Sequence, residues 1–245
     1  MSFEIIDRVT KPGLARITGG LYLLFIVTSV LADALAHIGL GDARQVYGSL
    51  TTSPAAFRLG LVTAFVSTFF FLLAAWGLFV LLRTVNRDLA LLFLLLNAIG
   101  VAVQCASMLQ LVTAMVVVDP SGGLDTVPAQ SVALVAINVY RTGFVAAQLF
   151  FGTWLFPLGY LVIKSGFLPR LLGVLLILDG VGELIWFLQA FLLPDYPAIK
   201  TPGTFVSLLA EVGLALWLLI RAVKDDHRVG TPLSSTPAVT TATPR

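Results

Sequence analysis

Charged residues are scarce in this chain. Asp, Glu, Lys and Arg together make up 11% of the 245 residues, whereas hydrophobic residues make up 58%. A soluble domain usually carries roughly 25% charged residues, so this composition excludes an ordinary water-soluble domain. The net charge is only +2 and no basic stripe occurs, so we expect no nucleic-acid partner.

Cysteine and histidine are also nearly absent. The one cysteine, Cys105, lies inside a long apolar run, so no disulfide can form within the chain and a thiolate metal site is not expected. The two histidines, His37 and His227, are far apart, which argues against a histidine-rich zinc or haem site. No phosphate-binding glycine loop, metalloprotease helix motif or nucleophile elbow occurs. We therefore expect no resident metal, no cofactor and no catalytic residue that a motif would identify.

What the chain has instead is a set of long apolar runs. A bilayer core about 30 Å thick needs about 20 apolar residues at about 1.5 Å rise per residue. Runs of that length cover Gly13 to His37, Phe57 to Leu82, Leu89 to Val118, Ser131 to Ile163, Leu168 to Leu193 and Thr204 to Ile220. They predict an all-α, polytopic transmembrane bundle of about six helices in a lipid bilayer. Pro157 favours splitting the fourth run, but Gly159 and Tyr160 follow too closely for another span.

The two ends of the chain differ from this apolar region. Residues 1–12 carry four charged side chains and predict a short cytoplasmic segment, while the first apolar run is long enough to be a retained signal anchor. Thr, Ser, Pro and Gly dominate from Gly230 to Arg245, and such a segment cannot bury enough apolar surface to offset its ordering entropy. We therefore predict a transmembrane domain at residues 13–222 and a disordered cytoplasmic tail at residues 223–245.

Basic residues near the ends of the runs predict the orientation, because short loops rich in Lys and Arg stay in the cytoplasm. The loops on the opposite side hold Arg44, Arg58 and Lys200, with no base between Asp119 and Gln130. Both termini are therefore predicted to be cytoplasmic. The residues that predict this are Arg8, Lys11, Arg16, Arg83, Arg87, Lys164, Arg170, Arg221, Lys224 and Arg228.

Several segments at the ends of the predicted helices resemble a known family. They are Ala15 to Tyr22, the Arg83 to Leu91 turn, Gly159 to Ser165 and Leu168 to Leu175. Over roughly Lys11 to Arg221 the chain is similar to a bacterial membrane protein family catalogued as domain of unknown function 4386. The resemblance implies a compact bundle with both termini inside, in a bacterial cytoplasmic membrane. It implies no reaction.

The most informative residues are polar side chains inside the apolar runs. An ionisable side chain near the bilayer centre costs roughly 2.5 to 3.5 kcal/mol on insertion scales and needs a partner. Arg141 lies about ten residues into the fourth run, Asp179 and Glu183 lie in the middle of the fifth, and Glu211 lies about seven residues into the sixth. At about 1.5 Å per residue, Arg141, Glu183 and Glu211 are expected at one level, about 10 to 15 Å below the outer boundary.

Helical spacing adds amide and aromatic side chains to this polar layer. Asn138, Arg141 and Gln148 are predicted to share one face of the fourth helix, and Asn97, Gln104 and Ser107 one side of the third. Trp186 lies on the face of Glu183, where it would form the floor of a cavity or stack on a cation. We therefore predict a ligand-binding cavity lined by Arg141, Asp179, Glu183, Glu211, Gln104, Asn138, Gln148 and Trp186.

The numbers of acidic and basic side chains in the polar layer distinguish a ligand-binding cavity from a polar layer that only fixes helix packing. If Arg141 pairs with Glu183 or Asp179, the polar layer locks the helices together. Four acids, Asp33, Asp179, Glu183 and Glu211, nevertheless face one deep base. Acids without a counter-charge must therefore stay protonated, or else water or a cationic ligand must enter.

Two further patterns contain residue types that can carry chemistry. Ser29, Asp33 and His37 follow four-residue spacing, but successive turns of one helix stack these groups in a row and do not converge them on a substrate atom. His37 is instead predicted to pair with Asp33. A carboxylate site for a hard cation, built from Asp179, Glu183 and Glu211, is an open alternative.

Three classes of function remain open from the sequence. The leading hypothesis is a membrane protein that binds or transports a small cationic or amphiphilic molecule, or protons, in the polar cavity. The second is a structural or accessory membrane protein whose polar layer only fixes helix packing. The third is an intramembrane enzyme that uses one of the carboxylates, and it requires a nucleophile, metal or activated water nearby.

Overall fold

The computed structural model describes residues 11–119 and 126–221, and within these ranges the chain is all-α. Residues 1–10 of the predicted N-terminal segment and the whole predicted tail, 223–245, lie outside the described residues. The helices are α1 (Lys11–Ala36), α2 (Ala43–Thr52), α3 (Pro54–Leu82), α4 (Arg87–Val118), α5 (Thr126–Ser165), α6 (Arg170–Leu192), a 3-10 helix (Pro197–Lys200) and α7 (Thr201–Ile220).

Six of these segments are long and apolar enough to cross a membrane: α1, α3, α4, α5, α6 and the stretch Pro197–Ile220 that contains α7. The prediction of an all-α, multi-pass chain is confirmed. The fourth run is one helix, because α5 continues through Pro157. Its 40 residues would measure about 60 Å at about 1.5 Å per residue, longer than a bilayer core of about 30 Å.

Two short elements were not predicted from the sequence. α2 begins with a reciprocal cap, in which Asp42 Oδ1 accepts from the Gln45 N–H at 2.9 Å and Gln45 Oε1 accepts from the Asp42 N–H at 2.8 Å. Its apolar residues Val46 and Leu50 are buried. The other element is the 3-10 helix before α7. Both are too short and too polar to appear in a search for apolar runs.

The spanning helices form a closed ring in which α1 contacts α3, each later helix contacts the next, and α7 returns to α1. Glycines allow the closest approaches. A Cβ on Gly19 of α1 would lie 2.6 Å from the Leu219 nitrogen of α7, and a Cβ on Gly159 of α5 would lie 2.6 Å from the Gly173 oxygen of α6. Small residues at such crossings give the backbone contact on which helix association in lipid depends.

Buried apolar side chains form two clusters along the ring. One lies toward the Arg83 turn and includes Phe93, Leu158 and Leu218. The other lies toward α2 and includes Val46, Phe57 and Ile137. We call the part of the bundle around the first cluster the closed half and the part toward α2 the cavity half.

Candidate functional site

A cavity of about 400 Å³ lies between the two apolar clusters, and all six spanning segments contribute to its wall. Val30 and Leu40 at its edge are exposed, so the cavity reaches the surface near the C-terminal end of α1. The polar groups of the wall are Ser29, Asp33, Ser67, Gln104, Gln148, Glu183, Ser207 and Glu211.

Aromatic rings form much of the remaining wall. Phe25 stacks on Phe71 with centroids 4.2 Å apart, and Phe71 meets Trp154 edge-on at 5.3 Å. On the opposite side Phe144 lies 5.9 Å from Trp186. The stacked rings hold one another in place, so the cavity has a fixed apolar surface suited to the body of an organic molecule.

Three acids line the cavity, and two of them accept a hydrogen bond of good geometry from a described residue. Glu211 Oε1 accepts from the Tyr22 hydroxyl at 3.1 Å, and Asp33 Oδ1 accepts from the Leu40 N–H at 3.1 Å. Oε2 of Glu183 is buried and has no hydrogen-bond partner in the described ranges 11–119 and 126–221. An acceptor left unsatisfied in this way normally calls for a bound group or an ordered water.

Asp179 lies one turn from Glu183 but does not line the cavity. Its side chain is fully buried, and neither carboxyl oxygen has a hydrogen-bond partner. Ser207 of α7 is close enough to interact with both Asp179 and Glu183, although it forms no hydrogen bond of good geometry with either. The structure therefore places Asp179 behind the wall, and the sequence-based expectation that it lines the cavity is corrected.

Arg141 is also not where the sequence predicted it. Its side chain is exposed, does not line the cavity, and interacts electrostatically with Asp42 and Lys200 at the α2 end of the bundle. Gln148 lines the cavity, and Arg141 lies seven residues, about two turns, nearer the start of α5, so it lies beyond the end of the cavity. Within the described residues, the pairing with Glu183 or Asp179 that would lock the bundle is absent.

Of the predicted amide and tryptophan side chains, three line the cavity and one does not. Gln104, Gln148 and Trp186 line the cavity as expected. Asn138 is exposed, faces a separate shallow groove, and donates to its own helix at the Leu134 oxygen over 2.9 Å. Its face diverges from that of Gln148 because ten residues on a helix are not a whole number of turns.

Several site residues were missed or misassigned from the sequence. The hydroxyls of Ser29 and Ser67 share a hydrogen bond of 2.6 Å in the cavity wall. His37 Nδ1 is hydrogen-bonded to the Ser49 hydroxyl at 2.7 Å, so the predicted pairing of His37 with Asp33 is wrong. Residue spacing along α1 carries no information about Ser49, because Ser49 lies on α2, which the apolar runs do not predict.

Lys200 is a further missed residue. Its Nζ lies 4.8 Å from the centroid of the Trp186 ring, and Trp186 lines the cavity whereas Lys200 does not. The sequence marked Lys200 only as an outer-loop base, because a contact between a loop residue and a helix face depends on the path of the loop.

The hard-cation alternative is not supported by the geometry. No group of three or more His, Cys, Asp or Glu side chains in residues 11–119 and 126–221 is placed to hold a metal ion. Asp179 is separated from the cavity, which leaves Glu183 and Glu211 as the acids of its α6–α7 side.

The part of the chain that forms the helix bundle is similar to known proteins. Residues 17–222 match the family described as Domain of unknown function (DUF4386). An uncharacterized protein of Archaeoglobus fulgidus is 39% identical over 84 residues, which are 34% of this chain and 49% of that protein, so the match spans about half of the relative's length. This relative is archaeal, and the bacterial source implied by the resemblance therefore stays a prediction. No solved structure matches the chain. The family match and the six apolar spans together identify the chain as a multi-pass integral membrane protein that belongs to the DUF4386 family.

Proposed function

We propose that this protein binds a small organic cation in the cavity, with the apolar part of the molecule against the aromatic rings and its cationic group at Glu183 and Glu211. The observation that carries the proposal is the charge of the wall. Asp33, Glu183 and Glu211 line the cavity, and no Lys or Arg of the described residues does.

A wall that carries acids but no Lys or Arg among the described residues favours a cation over a neutral or anionic ligand. Carboxylates at this depth cost several kcal/mol when they are ionised and unpaired. A bound ammonium would supply a positive charge and hydrogen-bond donors to the unpartnered Oε2 of Glu183. A proton would neutralise the same group, so protons compete with the cation.

The apolar wall suggests that the cation carries an apolar body. Phe25, Phe71, Phe144, Trp154 and Trp186 surround a space of about 400 Å³. This volume falls at the small end of the range for ligand pockets, roughly 300 to 1,000 Å³. An amine with one aromatic ring would fit, and aromatic faces add attraction for the cationic group itself.

The orientation that we propose places both termini in the cytoplasm. The bases Lys11, Arg16, Arg83, Arg87, Lys164, Arg170 and Arg221 lie at the end of the bundle that is away from α2, and excess Lys and Arg marks the cytoplasmic side. The cavity would then open toward the outside. Labelling with a membrane-impermeant maleimide in a Cys105→Ser background tests this, because Thr52→Cys should react in intact cells and Thr84→Cys should not.

The binding proposal can be tested with three probes that share one phenylethyl body: 2-phenylethylammonium, 2-phenylethanol and 3-phenylpropanoate. Titration calorimetry on the purified protein in nanodiscs should show binding of the ammonium, with at least tenfold weaker binding of the alcohol and none of the carboxylate. Equal affinity for the ammonium and the carboxylate would overturn the proposal.

Matched variants locate the binding. Glu183→Gln should weaken ammonium binding at least tenfold, because the carboxylate that pairs with the cation is lost. Asp88→Asn, at an exposed acid in the first turn of α4, should leave binding unchanged. If wild type binds none of the probes and Glu183→Gln only raises thermal stability, the packing hypothesis replaces this one.

A further inference from the structure

Lys200 differs from the residues around it. Residues 191–199 are all exposed, whereas Lys200 is half-buried at the end of the 3-10 helix. Its Nζ lies 4.8 Å from the centre of the Trp186 ring, well within the range of about 6 Å for a cation–π contact. Its charge also interacts with Glu183, one turn before Trp186 on α6.

An aromatic face beside a carboxylate is the combination that would bind the ammonium of a ligand. Here a primary ammonium already lies against the aromatic face, and this ammonium belongs to the chain itself. We propose that Trp186 and Glu183 form the cation subsite of the cavity and that Lys200 occupies this subsite until a ligand cation displaces it. This inference rests on the proposed function and names the subsite and its competitor.

The competition would determine which cations bind. A side chain tethered beside its site acts at an effective concentration in about the millimolar range. A small amine that offers no more than the lysine ammonium would therefore compete poorly. A cation with an aromatic body would gain contacts on Phe25, Phe71 and Phe144 that Lys200 does not make, and it would displace the lysine.

The geometry also offers a matched control. Lys164 stacks on an aromatic ring as well, with Nζ 5.8 Å from the centre of Tyr160. It lies at the end of α5, in the closed half and away from the cavity. Substituting each lysine with methionine removes one charge and one cation–π contact, but only Lys200→Met would empty the subsite.

The first test is the affinity for 2-phenylethylammonium, measured by calorimetry in nanodiscs. Lys200→Met should bind it at least about fivefold more tightly than wild type, which is the factor expected when a competing cation–π contact of this kind is removed. Lys164→Met should bind it as wild type does. Unchanged affinity in Lys200→Met would overturn the inference.

The second test separates displacement from a general effect of charge. Reductive methylation with ¹³C-formaldehyde leaves each lysine positively charged and gives it a methyl resonance. In wild type the Lys200 resonance, assigned from its absence in Lys200→Met, should be shifted by the Trp186 ring current and should lose that shift as 2-phenylethylammonium saturates the site. A resonance that stays shifted at saturation would overturn the displacement.

The two proposals fail in different ways. If wild type binds 2-phenylethylammonium with the charge preference described above, but the Lys200 resonance does not move, then the lysine is not a competitor and the proposed function stands. If neither wild type nor Lys200→Met binds the ammonium, the proposed function itself is overturned.

Discussion

The closed half and the cavity half of the bundle use the same helices in opposite ways. In the closed half the helices meet backbone to backbone, as at Gly159 and Gly173, and side chains such as Leu158 are fully buried. In the cavity half the same helices separate around a space of about 400 Å³, and carboxyl groups replace apolar side chains. The closed half holds the ring together, and the cavity half gives up packing to present polar groups.

This difference predicts opposite responses to mutation. Substitutions in the closed half should lower stability, because its helices are closely packed and leave no room for added atoms. Removing unpartnered acids from the cavity half should raise stability, because functional sites are commonly kept at a cost in stability. Four predictions test this contrast.

Gly19→Ala should destabilise the protein most, by about 3 kcal/mol, at the upper end of overpacking effects. A Cβ there would lie 2.6 Å from the Leu219 nitrogen and 2.7 Å from the Ala215 oxygen, and backbone atoms cannot move aside. The neighbouring Gly20→Ala is the control, because its Cβ would meet nothing closer than 4.0 Å. Unfolding in mixed detergent and denaturing surfactant measures both, and equal loss in the two variants would contradict close packing at this crossing.

Asp179→Ala should stabilise the protein by about 2 kcal/mol, because it removes a buried carboxyl group whose oxygens have no partner. Gln189→Ala on the same helix should have the opposite sign, since the Gln189 amide donates to the Leu193 oxygen at 3.0 Å at the end of α6. The melting temperatures of the two variants in one detergent decide the point. A lower melting temperature for Asp179→Ala would mean that the acid has a stabilising partner.

Tyr22→Phe should cost about 1.5 kcal/mol, because the hydroxyl donates to Glu211 at 3.1 Å and a hydrogen bond to an acid is among the stronger ones. Tyr140→Phe should change stability little. The Tyr140 hydroxyl is equally buried and lies near the backbone of Gly39, but it makes no hydrogen bond of good geometry. Equal losses in the two variants, measured by the same melting experiment, would show that the Tyr22 bond contributes nothing specific.

The smallest effect concerns the cap of α2. The N–H groups of Gln45 and Arg44 hold the pKa of the Asp42 carboxyl below its ordinary value of 3.8. Because this pKa is lower in the folded state, the ionised carboxyl group stabilises the protein at pH values above the ordinary pKa. The stabilisation is lost as the pH falls through the lowered pKa. Wild type should therefore melt slightly above Asp42→Ala at pH 7, with the gap closing in acid below about pH 4. A gap that widens in acid would contradict this sign.

The features that the sequence predicted are those that depend on single residues or single helices. Six spans follow from the length of apolar runs, because hydropathy accumulates residue by residue. Glu183, Glu211, Gln104, Gln148 and Trp186 were found because a polar or amphipathic side chain in an apolar run is conspicuous. All five line the cavity.

The features that the sequence did not predict depend on where each helix lies relative to the cavity and on contacts between different helices and loops. Arg141 shares a helix face with Gln148 but lies about two turns nearer the start of α5, and residue counts along one run do not show where the cavity ends. Asp179 has the helical spacing to share the face of Glu183, yet one turn along the bundle that face is packed rather than open. The Lys200 contact with Trp186 requires the path of the connection between α6 and α7, which apolar runs do not contain.

The most direct measurement of the central claim is a crystal structure of the protein with 4-bromophenethylammonium, in which the anomalous signal of bromine marks the ligand. We expect one strong bromine peak inside the cavity, among the aromatic rings, with the ammonium beside Glu183 and Trp186. Bromine found only on the lipid-facing surface, with the cavity unoccupied at saturating ligand, would contradict it.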